Sequence, residues 1–189
     1  MTSEGVGSNI TLTNANNVAT SFKLEVTDNF TLNSSQNFGT TAPVAANLDD
    51  LAIGTATQDY FFVEASNPTG QLKIKNLSPT KGYKFTVFGS RVASGQAVRE
   101  SKFVFTGANS FTGQLVTTDG ADGNKNKVLK TSVLFPNASG EIIIDLSIVT
   151  GGFGYCPKGE REIWQSGRYS SRRSRSGEIA AGVARENRV

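Results

Sequence analysis

The sequence contains no histidine and only one cysteine, Cys156. Without imidazole the chain cannot supply a Ser-His-Asp or Cys-His catalytic group, a histidine-ligated zinc site or a histidine general base. A single cysteine excludes an intrachain disulfide and any CxxC site. We expect Cys156 to fill a small space near the start of a strand rather than to act as a reactive thiol.

Long hydrophobic runs are also missing. No apolar segment approaches the roughly 20 residues that a membrane-spanning helix needs. The N-terminal MTSEGVGSN lacks the basic and apolar regions of a signal peptide. We therefore expect either a cytoplasmic protein or a module cut from a longer secreted protein, and we favour the secreted module for reasons given below.

The residues that are present favour an all-β protein. Twelve phenylalanines against one methionine and one tryptophan predict a core of Phe, Val, Ile and Leu. The 20 glycines, with many Asn, Thr and Ser residues, are typical of short strands joined by turns. A chain of 189 residues corresponds to one domain with room for a tail. Such a domain buries about two thirds of its extended-chain surface, so it needs neither disulfide nor metal.

Alternating apolar residues predict a series of short strands with turn signals between them. The predicted strands are 10–12, 21–26, 60–64, 71–75, 114–118, 128–134, 141–148 and 160–164. One helical turn is expected within 43–53, where Asn47 can act as an N-cap. Strands at such short intervals indicate an antiparallel β-sandwich of the jelly-roll type.

Two further signals lie between residues 77 and 106. Leu77, Pro79 and Tyr83 have the spacing of a tyrosine corner, in which the tyrosine hydroxyl bonds to upstream backbone. The alternating segments 83–88 and 103–106 predict two adjacent antiparallel strands that form a hairpin.

The last 25 residues differ in composition from the rest. Residues 165–189 hold six of the 19 basic residues and two of the 16 acidic ones, so they carry a net charge of +4 and residues 1–164 carry −1. Their Ser, Arg and Gly content predicts a disordered tail after a β-sandwich domain of residues 1–164. We interpret the tail as a linker or as appended sequence unrelated to the fold, and a nucleic-acid-binding arm is the alternative.

Three segments of the sequence are similar to segments of a known group of β-sandwich domains: ATQDYFF (56–62), YKFTVFGSR (83–91) and GGFGY (151–155). Their order and the strands between them resemble the malectin-like and galactose-binding-like β-sandwiches over residues 10–164. More narrowly, they look like the carbohydrate-binding modules of secreted esterases and glycanases of Bacteroidetes. The resemblance implies a non-catalytic module, secreted or on the cell surface, that binds xylan, pectin, glucomannan or β-glucan. It would hold an attached catalytic domain near that polysaccharide. In such sandwiches the ligand lies in loops at one end or on the concave face of a sheet.

Sugar binding needs aromatic rings and a few fixed polar groups. Arg91 and Arg99 flank the loop of the predicted hairpin, so their guanidinium groups can meet at one end of the sandwich. There they would suit sugar hydroxyls or the carboxylate of a uronic acid. The alternative is that they pair with Asp59, Glu64 or Glu100 and hold the loop.

Other candidates for ligand binding lie on both sides of this hairpin. Asp59 and Tyr60 open a strand and can present a carboxylate and a phenol to the same end, whereas Phe61 and Phe62 are expected to pack in the core. Trp164, the only tryptophan, is either a stacking platform or an anchor for the last strand.

The loop 119–127 is a candidate calcium site. Its oxygen-bearing side chains are Asp119, Asp122, Asn124 and Asn126. They can ligate calcium, but Asp-Gly and Asn-rich sequence is also ordinary turn chemistry, which we favour. Asn124 remains a candidate ligand contact, and no other cofactor is expected.

Enzyme chemistry has little support. The carboxylate pairs at 49/50 and 160/162 match a glycosidase by composition only, and no glycine-rich segment has the setting of a phosphate loop. We expect no enzymatic activity, no membrane partner and no nucleic-acid partner. The alternative to a carbohydrate-binding module is a fibronectin-type or adhesin-like spacer without a ligand.

Overall fold

The computed structural model describes residues 5–14, 18–31, 38–48, 51–52, 54–92, 98–120, 123–157 and 167–169. The elements in chain order are β1 (Asn9–Thr13), β2 (Ala19–Asp28), α1 (Ala45–Leu48), α2 (Gly54–Thr57), β3 (Tyr60–Glu64), β4 (Thr69–Lys75), β5 (Gly82–Lys84), β6 (Thr86–Val87), β7 (Arg99–Thr106), β8 (Ser110–Thr118), β9 (Leu129–Lys130), β10 (Ile142–Thr150), β11 (Phe153–Pro157) and β12 (Gly167–Tyr169).

The strands form two layers around one core. Six of them make an antiparallel sheet in the order β1-β2-β4-β10-β7-β8. The opposite layer consists of three antiparallel pairs, β3 with β11, β5 with β12 and β6 with β9. Buried side chains from both layers belong to a single hydrophobic cluster. The predicted all-β antiparallel sandwich is therefore confirmed.

Buried and half-buried residues alternate along β7 and β10, the two strands that pair at the centre of the large sheet. Phe103 and Phe105 in β7, and Ile144 and Leu146 in β10, are at most 1% exposed, while the residues between them are half-buried. The two strands pair with Phe105 opposite Ile144 and Phe103 opposite Leu146. Because the side-chain period of a strand is two, this register places all four side chains on the core face.

The predicted hairpin between 83–88 and 103–106 is wrong. β7 pairs with β8 and β10, whereas β5 and β6 lie in the opposite layer. The rings of Phe85 and Phe105 stack across the core with centroids 5.5 Å apart. Alternation identifies which face of a strand is buried, but it does not identify the strand that pairs with it. The observed hairpin joins β7 to β8 through the tight turn at Gly107–Asn109.

The tyrosine corner is confirmed. The backbone N–H of Ser78 donates to the hydroxyl oxygen of Tyr83 at 2.9 Å, and the ring is 1% exposed. The backbone of Tyr83 also exchanges hydrogen bonds with Leu134, at 2.7 and 2.8 Å. The corner therefore ties the entry of β5 to the segment that follows β9.

Replacing Tyr83 with phenylalanine should lower the free energy of unfolding by about 1 to 2 kcal/mol, because the Ser78 N–H loses its acceptor while the ring remains. Urea denaturation followed by far-UV circular dichroism measures the change. Ser78→Ala is the matched control, since it keeps the backbone donor and should change stability by less than about 0.5 kcal/mol. Equal losses for the two variants would contradict this role of the hydroxyl.

The helical turn expected within 43–53 corresponds to α1, but Asn47 lies inside it and is not its N-cap. Leu48 packs with Leu51 and Phe88 in a second, smaller cluster. β11 was not among the strands predicted from the sequence. Gly151 and Gly152, with φ of 77° and 73°, form the turn that leads from β10 in the large sheet to β11 in the opposite layer.

The strand predicted at 160–164 lies outside the described residues, as does most of the predicted tail. Within that tail the structure describes β12, which pairs with β5. In the described part of the chain no helix is long and apolar enough to cross a membrane.

Candidate functional site

The strand pair β3–β11 separates aromatic residues onto its two faces. Phe61 and Cys156 point into the core, where both are at most 1% exposed. Burial of Cys156 raises the pKa of its thiol far above the ordinary value, so the thiol stays protonated and inert, as the sequence analysis expected. The opposite face carries the neighbouring residues of each strand, which alternate with the core residues.

Four aromatic rings cover that opposite face. Tyr155 lies across from Phe62 in the β3–β11 register. The Tyr155 ring is stacked against Phe62 at 6.2 Å and against Phe153 at 6.3 Å, and meets Tyr60 edge-on at 4.9 Å. Tyr155 and Tyr60 are buried, whereas Phe62 and Phe153 are partly exposed. Tyr60 and Tyr155 thus form a buried base, and Phe62 and Phe153 form its accessible rim.

Arg99 packs against this aromatic face from the large sheet. It is the first residue of β7, has its side chain on the core-facing side together with Ser101, and is 7% exposed. Its guanidinium carbon lies 4.2 Å from the centroid of the Phe153 ring, and Nη1 donates to the hydroxyl of Tyr155. The backbone N–H of Tyr155 donates to Ser101 Oγ at 2.7 Å. The start of β7 therefore fixes β11 in position.

Arg91 reaches one of these rings, Tyr60, from the loop after β6. Its guanidinium carbon lies 4.2 Å from the ring centroid of Phe38, which is 40% exposed, and 5.9 Å from that of Tyr60. Its backbone is held at the end of β8, because the N–H donates to the carbonyl of Thr117 at 2.9 Å and the carbonyl accepts from Thr118 Oγ1 at 3.1 Å. Arg91 is thus a half-buried cation on a fixed backbone.

The two arginines lie beside neighbouring tyrosine rings, Arg99 against Tyr155 and Arg91 against Tyr60. Burial raises the pKa of the Tyr155 phenol, and the charges and hydrogen bonds of Arg99 and Arg91 oppose that rise only in part. Because a raised pKa favours the protonated form of a phenol, Tyr155 is neutral at physiological pH. We call the seven residues of this region the arginine–aromatic cluster: Phe38, Tyr60, Phe62, Arg91, Arg99, Phe153 and Tyr155.

The structure brings together three of the predicted site residues, Arg91, Arg99 and Tyr60. The burial of Tyr60 and Arg99 makes them supports of the cluster rather than its accessible part. Asp59 is half-buried immediately before β3. Trp164 lies outside the described residues. Within the part of the chain that is described, Arg91 forms no ion pair, so the proposed pairing with a carboxylate is not what holds it.

Asn124 is not available to a ligand, which corrects its assignment as a candidate contact. It is 1% exposed, and its Nδ2 donates to the carbonyls of Gly89 and Lys127 at 2.9 and 2.8 Å. Its Oδ1 accepts the backbone N–H groups of Lys127 and Asn126 at 2.8 and 3.2 Å. The amide is saturated because it organises the turn, as the alternative interpretation of this loop held.

Calcium ligation by the same loop remains a prediction without support. Asp119 Oδ2 forms a 2.6 Å ion pair with Lys127, and Asp122 lies outside the described residues. Among the residues that are described, no group of three or more His, Cys, Asp or Glu side chains is placed to hold a metal ion.

Sequence reasoning missed Phe38, Phe62, Phe153 and Tyr155 as members of the cluster. A signal was present for three of them, because Phe62 is two residues from Tyr60 and Phe153 is two residues from Tyr155, which puts each pair on one strand face. That these two faces adjoin follows only from the pairing of β3 with β11.

The outer face of the six-stranded sheet is the other place where a saccharide could lie. It carries a hydrogen-bonded chain in which Thr27 Oγ1 donates to Gln71 and Gln71 Nε2 donates to Asp145, each at 2.7 Å. Lys75 pairs with Glu25 on the same face at 2.7 Å. Among the described residues this face has no aromatic side chain. It therefore lacks stacking groups, which the arginine–aromatic cluster has.

No protein-family model matches the chain, and no curated protein or solved structure is significantly similar to it. The fold defines the class of protein as an all-β sandwich, and the resemblance to malectin-like and galactose-binding-like modules remains a prediction from sequence.

Proposed function

We propose that this protein is a non-catalytic carbohydrate-binding β-sandwich and that the arginine–aromatic cluster is its saccharide site. The observation that carries the proposal is the combination of two partly exposed rings, Phe62 and Phe153, with a half-buried guanidinium group, Arg91, on a buried base. The C–H face of a pyranose packs on aromatic rings, and guanidinium N–H groups donate to its oxygens.

The buried base favours binding because it holds the rim in place. Tyr155 and Arg99 are fixed by strands from both layers, so little side-chain freedom remains to be lost when a sugar binds. Binding of this kind is reversible and alters no bond. Secreted or at the cell surface, and joined to a catalytic domain, such a module raises the effective concentration of that domain at a polysaccharide.

A structural spacer is the second candidate, and one observation favours it. Tyr60, Tyr155 and Arg99 are almost fully buried, so the cluster also serves to fasten β11 onto β7. A spacer requires only this attachment of β11 to β7, and it does not need Phe62 and Phe153 to be accessible.

Affinity electrophoresis in gels containing xylan, pectin, glucomannan or β-glucan separates the two candidates. We expect at least one polysaccharide to slow the protein, and Phe62→Ala to weaken that binding about tenfold by removing a stacking ring. Val104→Ala, an equally half-buried apolar residue on the outer face of the large sheet, is the control and should leave migration unchanged. If no polysaccharide slows the native protein, the spacer is the correct function.

A further inference from the structure

The guanidinium groups of the arginine–aromatic cluster are hydrogen-bond donors only. Guanidinium groups donate several N–H bonds and accept none. The buried Tyr155 oxygen already accepts an N–H group of Arg99, so Arg91 is the guanidinium group that remains accessible to a ligand. A ligand that meets these groups must therefore supply acceptors.

The same groups concentrate positive charge. The guanidinium carbons of Arg91 and Arg99 lie 5.9 and 5.6 Å from the ring centroids of Tyr60 and Tyr155, two rings whose centroids are 4.9 Å apart. Like charges beside neighbouring rings repel, and partial burial weakens their screening by solvent. Arg91 has no ion pair within the described residues, so an anion placed against it gains an interaction that no described carboxylate supplies.

We propose that the cluster selects acidic sugars, with Arg91 binding the carboxylate of a uronic acid residue while Phe62 and Phe153 contact its ring. The proposal rests on the proposed function and names its ligand class. A carboxylate has acceptors only and carries the compensating charge, and its two oxygens match the fork of a guanidinium group. Arg99 is a positioning residue, since it is buried and acts through Tyr155 and Phe153.

Calorimetric titration of the whole chain with oligomers of galacturonic acid, their methyl esters and neutral galactan oligomers tests the selectivity. Esterification keeps the sugar and removes the charge. We expect the acid to bind at least about tenfold more tightly than its ester, because charge-assisted hydrogen bonds are the stronger kind. This advantage should shrink as salt concentration rises.

Variants at Arg91 test whether this residue binds the carboxylate of the acidic sugar. Arg91→Gln should weaken binding of the acid about tenfold and of the ester less than about threefold, and Arg91→Lys should fall between, because lysine keeps the charge without the fork. Lys102→Gln removes one positive charge from the outer face of β7 and should change neither affinity. Far-UV circular dichroism verifies that each variant is folded.

The possible outcomes distinguish failure of the selectivity for acidic sugars from failure of the proposed carbohydrate-binding function. Equal affinity for the acid and its ester overturns the selectivity and leaves a carbohydrate-binding protein. Binding of polyglutamate as tight as that of polygalacturonate overturns it as well, since the surface would then recognise any polyanion. Loss of acid binding in Lys102→Gln equal to that in Arg91→Gln places the anion elsewhere and overturns the assigned site. Absence of binding to every saccharide removes both the inference and the proposed function.

Discussion

Replacing Phe105 with alanine is expected to lower the free energy of unfolding by about 4 kcal/mol. The side chain is fully buried between the two layers, stacked on Phe85 at 5.5 Å and edge-on to Phe111 at 6.2 Å. Truncation removes its buried apolar surface and leaves a cavity that rings anchored in both layers cannot easily fill. Since a domain is stable by only about 5–15 kcal/mol in total, urea denaturation should show a much lower midpoint.

Val104→Ala is the matched control for this prediction. Val104 belongs to the same strand, but its side chain lies on the outer face and is half-buried. Its truncation should cost less than about 1 kcal/mol. Comparable losses at positions 104 and 105 would contradict the assignment of the two faces of β7.

Gly140→Ala is expected to lower the free energy of unfolding by about 3 kcal/mol, for two separate reasons. Gly140 has φ of 73°, a conformation that costs an alanine roughly 1–2 kcal/mol. A Cβ atom there would also lie 2.4 Å from the backbone oxygen of Leu77. The Leu77 N–H donates to the carbonyl of Gly140 at 2.9 Å, so relieving the clash disturbs this bond beside the tyrosine corner.

Gly152→Ala separates the two causes. Gly152 has the same φ of 73°, but a Cβ atom there meets no atom within 4 Å. Its substitution should cost only the conformational part, roughly 1–2 kcal/mol. Both variants are compared by urea denaturation at one temperature. If they lose equal stability, the backbone around Leu77 accommodates the methyl group and the steric part of the prediction fails.

These stability variants also support the binding experiments. Gly140 and Phe105 lie outside the arginine–aromatic cluster, whereas the substitutions at Phe62 and Arg91 alter its accessible groups. A variant that loses saccharide binding while its urea midpoint stays near that of the native protein has lost a contact. A variant that loses both has lost the scaffold, and its binding result says nothing about the site.

Residue types and spacing predicted part of the candidate site. Arg91, Arg99 and Tyr60 were predicted to meet at one end of the sandwich, and they do lie in one cluster. Their division into a buried base and an accessible rim was not predicted, because exposure depends on what packs above each side chain. Asn124 failed as a ligand contact for the same reason, since its turn neighbours use all of its hydrogen-bonding capacity.

The sequence by itself determined the all-β class, the bounds of β3 and the tyrosine corner. Each of these depends on local information. A period of two selects one face of a strand for burial, and the spacing from Leu77 to Tyr83 brings the hydroxyl back to nearby backbone.

Only the tertiary structure decided which strands are neighbours. It placed Phe85 opposite Phe105 in different layers, paired β3 with β11, and thereby joined Phe62 to Tyr155. Every strand carries the same alternation, so the pattern does not distinguish a partner in the same sheet from one across the core. That choice is made by the packing of the whole chain, through contacts between residues far apart in sequence.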